Sequence, residues 1–254
     1  HLAMLSRQGM RDDLVRTATP ADAKGLIVSA IRDPNPVLYF EHKHLYRRIK
    51  AEVPDERYAT PFGKARVHRE GDDVSVITWG AMVHTADEAA QQLDADGVSV
   101  EIIDLRTLIP WDKQAVLESV AKTSKALVLH EDTHTGGFGA EIAATVAEEA
   151  FEDLDAPVRR IAAPDTPVPF SPPLEKAHLP QVEDVSEPAR HHRKPPPGRA
   201  PDGLPWSVAR AIEGRRRLHG YGCRSFLPHI EEIPVGIAEP ETAARRILWG
   251  VYFG

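Results

Sequence analysis

The sequence predicts an α/β protein, a three-layer α/β/α sandwich built on a mostly parallel, twisted sheet. Short runs rich in Val, Ile and Leu alternate with amphipathic stretches of helical length. Strand, helix, strand at this spacing demands parallel crossovers with helices on the sheet faces. Turn residues such as Asp96-Gly97 and Pro110 punctuate the alternation.

The first sixteen residues show no clean period. Thr19 is placed to cap a helix with Pro20 at its first position, and Leu26, Ile27, Ala30 and Ile31 recur at helical spacing. Asp33-Pro34-Asn35-Pro36 stops that helix, and Val37–Phe40 reads as a buried strand followed by the charged run Glu41-His42-Lys43-His44. Ala51–Ala65 is polar and proline-punctuated, an inter-domain connection. Strands are then predicted at Val74–Trp79, Val98–Ile103, Ala126–Leu129 and Val158–Ala162. Helices are predicted between them at Met82–Leu93, at Trp111–Val120 starting from Pro110, and at Gly139–Phe151. Pro164–Pro180 carries six prolines in seventeen residues and is expected to be an irregular, extended strap. Beyond it a helix is expected to begin at Gln181 and to give way to Arg/Pro-rich sequence.

Composition narrows the function classes. A net charge of −7 gives no reason to expect nucleic acid or an anionic membrane as partner. The basic segments Arg190–Arg199 and Arg215–Arg217 are nearly balanced by acids in the same tail. The single cysteine, Cys223, excludes an internal disulfide framework. No apolar run approaches the roughly 18 residues of a membrane span, and no secretory signal is visible, which predicts a cytoplasmic chain.

The run His130-Glu131-x-x-His134 matches a zinc-protease pattern, but that chemistry needs both histidines one helical turn apart on one face. Here they follow a strand-like run and are cut off by Gly136-Gly137. His130 and Glu131 are therefore expected to end a strand and to face a subunit or active-site rim. Gly136-Gly137-Phe138-Gly139 lacks both the dinucleotide and the P-loop fingerprint and is read as a tight strand-to-helix turn. No G-x-S-x-G elbow supports a hydrolase.

Several ordered motifs carry a resemblance: D-A-K-G-L (22–26), F-E-H-K-x-L-Y-R (40–47), I-x-D-L-R-T-L-x-P-W-D (102–112), H-E-D-T-H-T-G-G-F-G-A-E-I (130–142) and S-P-P-L-E-K-x-x-L-P (171–180). Together they resemble the β subunit of the thiamine-diphosphate-dependent 2-oxo-acid dehydrogenase E1 component. Leu45–Pro54 (L-Y-R-R-I-K-A-E-V-P) favours the branched-chain over the pyruvate type. The resemblance implies residues 1–56 as the C-terminal remnant of a pyrimidine-binding domain and 57–180 as a transketolase C-terminal domain, with 181–254 an irregular tail. It further implies an α2β2 assembly of two β subunits with E1 α subunits, binding thiamine diphosphate with Mg2+ and passing an acyl group to the lipoyl arm of an E2 acyltransferase core.

The family's catalytic glutamate and histidine lie upstream, and nothing here matches their motifs. No catalytic and no cofactor-binding residue is thus expected in this chain, which reads as a truncated or frame-altered subunit. One site carries over, a structural K+ bound by the carbonyl of Ala30 with Asp33 and Asn35, incomplete because its other ligands also belong upstream. The competing expectation is a non-catalytic assembly or E2-docking module.

Overall fold

A computed structural model describes residues 13–191 of the 254. A three-stranded sheet has β2 (Val37–Phe40) parallel to β1 (Asp13–Arg16), which pairs antiparallel with β6 (Thr107–Ile109). The main sheet has the order β3 (Arg66–Arg69), β5 (Val100–Asp104), β4 (Val74–Thr78), β7 (Ala126–Thr133), β8 (Arg159–Ala163). Its pairings are parallel except β3 with β5, so the sheet is mostly parallel as expected.

Alternation along each strand makes the three layers. Val74 and Val76, Val100 and Ile102, and Leu127 and Leu129 enter one cluster with Ala86, Ala90 and Leu93 of α2 (Met82–Ala95) and Val185 and Ala189 of α6 (Val182–His191). Ile77, Ile103 and Val128 enter the other, with Val116 and Val120 of α3 (Lys113–Thr123) and Ile142 and Val146 of α4 (Gly139–Glu149). Both faces are covered, which is why these strands are apolar nearly throughout. Burying each large aliphatic side chain is worth about 1.5–3 kcal/mol. Among the described residues no helix is long and apolar enough to cross a membrane.

Local signals place the ends. Helix α1 (Pro20–Arg32) starts where Thr19 Oγ1 accepts from Asp22 N at 3.2 Å with Pro20 in the first turn. Helix α2 ends at Gly97, whose φ of 70° suits the left-handed turn there. Helix α3 does not start from Pro110. Asp112 is its cap, accepting from Ala115 N at 3.3 Å, and Pro110 follows β6 across a cis peptide bond.

Two other readings change. Strands β1, β3 and β6 add to those the sequence pattern predicts, and β6 joins the region before residue 57 to the region after it. The proline-rich strap is not wholly irregular, because α5 (Pro172–His178) forms with both prolines in its first turn, where their missing N–H groups cost nothing. The helix expected to begin at Gln181 is present as α6, docked on α2; the rest of the tail expected to be irregular, from 192, lies outside the described residues.

Candidate functional site

Strand β7 runs past its neighbours and carries His130 and Glu131 at its C-terminal end. His130 does not face a rim. It is 0% exposed, its ring stacked on Trp79 with centroids 5.4 Å apart and planes at 7°, while Phe138 meets Trp79 edge-on at 6.2 Å. The glycine corner folds over this ring. A Cβ on Gly139 would lie 2.3 Å from His130 Nε2, and one on Gly137 2.7 Å from its Cε1. These glycines let α4 approach the histidine, and the phosphate-loop use of the corner is closed by a side chain already filling it. Burial pushes the His130 pKa down to about 4.

The H-E-x-x-H run is thereby taken apart. His130 lies in the core, whereas His134 lines a cavity of about 290 Å³ with Arg160, Ile161, His178 and Leu179. Among the described residues no group of three His, Cys, Asp or Glu could hold a metal ion. Glu131, on the opposite face of the strand from His130, accepts from or pairs with His42 Nε2 at 3.0 Å. Hydrogen bonding to Glu131 raises the His42 pKa above its ordinary value.

The motif at 102–112 proves architectural. Asp104, 0% exposed, accepts from Arg66 Nη2 at 3.1 Å and from Arg106 N at 3.2 Å. Its carboxyl is pushed up to about 7 by burial, against the pull of Arg66. Arg106, with φ at 57°, turns its guanidinium back to the Lys64 carbonyl at 2.7 Å and to Asp22 at 3.2 Å. Asp22 also meets Arg66 Nη1 at 3.1 Å. Thr107 Oγ1 accepts from Gly63 N, and Asp112 Oδ2 from Ala65 N. The D-A-K-G-L and D-L-R-T-L motifs are thus two halves of one charge-balanced interlock between α1 and the main sheet. The pattern alone does not join the two motifs, because Asp22 and Arg106 lie 84 residues apart in the chain.

Ala30 lies in the last turn of α1, and Asp33 and Asn35 in the turn between α1 and β2. Asp33 Oδ1 accepts from Asn35 N at 2.8 Å and from Asn35 Nδ2 at 2.9 Å, a self-bonded turn. No hydrogen bond or ion pair among the described residues joins this turn to His130 or Glu131.

The family model for the transketolase C-terminal domain matches residues 63–185, which are the main sheet, its covering helices and the start of α6. The chain is 49% identical over 173 residues to the 2-oxoisovalerate dehydrogenase subunit beta of Bacillus subtilis, covering 68% of this chain and 53% of that one. It is 49% identical over 177 residues to the pyruvate dehydrogenase E1 component subunit beta of the same organism, covering 70% and 54%. The chain belongs to the 2-oxo-acid dehydrogenase E1 β-subunit family. A third relative, 45% identical over 181 residues, is the acetoin:2,6-dichlorophenolindophenol oxidoreductase subunit beta of Cupriavidus necator, with 71% of this chain and 53% of that one covered. The fold is shared with a split-gene transketolase solved as an inactive β4 tetramer, at TM-score 0.58 and 24% identity over 72% of this chain and 57% of that chain. The chain spans about half the length of the curated E1 β relatives it matches.

Proposed function

We propose that this chain serves as the β subunit of an E1 component that oxidatively decarboxylates a branched-chain 2-oxo acid and passes the acyl group to a lipoyl-bearing E2. The observation that carries the E1 reading is the 49% identity to a 2-oxoisovalerate dehydrogenase β subunit across 68% of the chain; a pyruvate-type subunit is equally identical, so the branched-chain choice rests on the run at 45–54. Leu45, within the run that favours the branched-chain type, packs onto the main core. In this reading residues up to about 56 belong to a pyrimidine-binding domain and the E1 α subunit and a second β subunit are the partners.

Thiamine diphosphate, when bound, supplies the carbanion-stabilising centre that decarboxylation requires. Residues 13–191 do not fit it on their own. The one glycine-rich strand-to-helix corner is filled by His130, so no backbone cradle is open to a diphosphate there. We therefore assign the cofactor and its Mg2+ to the assembled complex. The same holds for K+: the Ala30 carbonyl, Asp33 and Asn35 supply fewer oxygens than a hard cation takes, and Asp33 Oδ1 is already engaged. What this chain contributes by itself is a rigid platform, with Glu131 and His42 at the C-terminal edge of its sheet.

The test is reconstitution of the full chain with the α subunit of a 2-oxoisovalerate dehydrogenase, thiamine diphosphate and Mg2+. Decarboxylation of 3-methyl-2-oxobutanoate above the α-only control supports the proposal. Preference for pyruvate moves the assignment to the pyruvate type. Co-purification without turnover replaces it with an assembly or E2-docking module.

A further inference from the structure

The segment after β2 crosses the end of the main sheet from one face to the other. Leu38 and Phe40 pack on the cluster containing α3 and α4, whereas Leu45 packs on the opposite cluster with Ile161 and Val182. Between those anchors the chain passes the C-terminal edge of the parallel strands, where open α/β sheets place their ligands. A 3-10 turn at Lys43–Arg47 shapes the crossing, and Tyr46 Oη donates to Glu41 at 2.6 Å to close it. His42 sits at the midpoint and reaches Glu131 at 3.0 Å, both side chains about three-quarters buried (26% and 21% exposed).

We propose that residues 40–45 form a strap over the C-terminal edge of the sheet, and that the His42–Glu131 pair is its proton-operated latch. The charged groups facing His42 are Glu131 from β7 and Arg16 from β1, with His44 meeting its ring edge-on from the same turn at 6.0 Å. Glu131 holds the imidazolium in place, and Arg16, drawn over the Phe40 ring at 5.3 Å, opposes it. When His42 loses its proton the hydrogen bond can persist, but the charge that pins the strap is gone. The raised pKa fits this direction. The latch is complete below the ordinary histidine pKa and relaxes as pH rises through the higher value of the folded chain. The strap reading is independent of the substrate assigned above, since it concerns this chain's own motion.

Hydrogen exchange of the full chain, corrected for intrinsic rates, tests it between about pH 5.5 and 8.5. Protection across residues 37–47 is expected to fall several-fold over that range, while β4 and β5 stay unchanged. His42→Gln, which keeps a hydrogen-bond donor without the charge, and Glu131→Gln should both abolish the pH dependence. An NMR titration of the His42 imidazole should show its pKa drop in Glu131→Gln. Protection that does not vary with pH in the wild type, or an unchanged pH dependence in Glu131→Gln, overturns the latch. Glu131 is partly exposed and outside both cores, so its variant keeps the test valid even where His42→Gln fails to fold.

Discussion

The five-stranded domain and the layer before it are held by different forces. The domain buries both faces of its sheet under four helices, and Ile77, Leu93, Ile102, Leu127 and Leu129 are fully enclosed. The layer of β1, β2 and α1 is covered on one side only. Ile31 of α1 is 78% exposed, Ile27 39%, and every side chain of β2 is half-buried. Beside the apolar contacts of Leu14, Leu38 and Phe40 with one face of the domain, polar clasps fasten it: the Asp22–Arg66–Asp104–Arg106 interlock, the β1–β6 pairing, His84 Nε2 on the Ala18 carbonyl at 2.9 Å and the His42–Glu131 pair. Apolar burial makes the domain self-sufficient. Geometry-dependent charge pairs make the layer dependent on its clasps.

That contrast can be broken from either side. The largest effect is expected in the domain: Leu127→Ala should destabilise by about 2–5 kcal/mol, measured by denaturant unfolding, and should lower the stability of every element together. Arg106→Ala comes next, at about 3 kcal/mol, because it leaves Asp22 short of a partner and frees the carbonyl of Lys64. Its signature is local. Exchange should rise in α1 and β1 while β4 and β7 stay protected, and uniform loss would contradict the division drawn here. Gly139→Ala should cost about 1–3 kcal/mol, since its Cβ meets the buried His130 ring and not open space. A His130→Ala background should recover much of that loss.

The gentlest effect, read one pH unit at a time, is a slope. His130 is held neutral with a folded pKa of about 4, below its unfolded value, so its contribution is present above about pH 6.5 and is lost as pH falls toward 4. The difference between wild type and His130→Phe should change by about 1.4 kcal/mol per pH unit in that window. Taking the difference matters, because Asp104 slopes the other way: its raised pKa favours the folded state as pH falls below about 7.

Much of this was legible in the chain. The strands at 74, 100, 126 and 159 and the helices between them follow from period and turn residues, and Thr19-Pro20 announced α1 correctly. Strands of three or four residues such as β3 and β6 carry too few positions for a period to show, and they form because a neighbour pairs with them. Pro110 looked like a helix start because proline favours that position, but Asp112 had the side chain to cap the helix. The site was harder. That H-E-x-x-H was not a zinc helix could be read from Gly136-Gly137. That His130 points inward could not, because Trp79 and Gly139 decide it, and strand alternation leaves either face open until the sheet is assembled. The turn at Asp33-Pro34-Asn35 bonds to itself as its residue types predict.

Native-state hydrogen exchange of the full chain against low denaturant tests the two-part account most directly. The account predicts two tiers, with α1, β1 and β2 opening sub-globally at a lower free energy than β4, β5 and β7, which exchange only through global unfolding. A single common opening free energy for all these elements would contradict it.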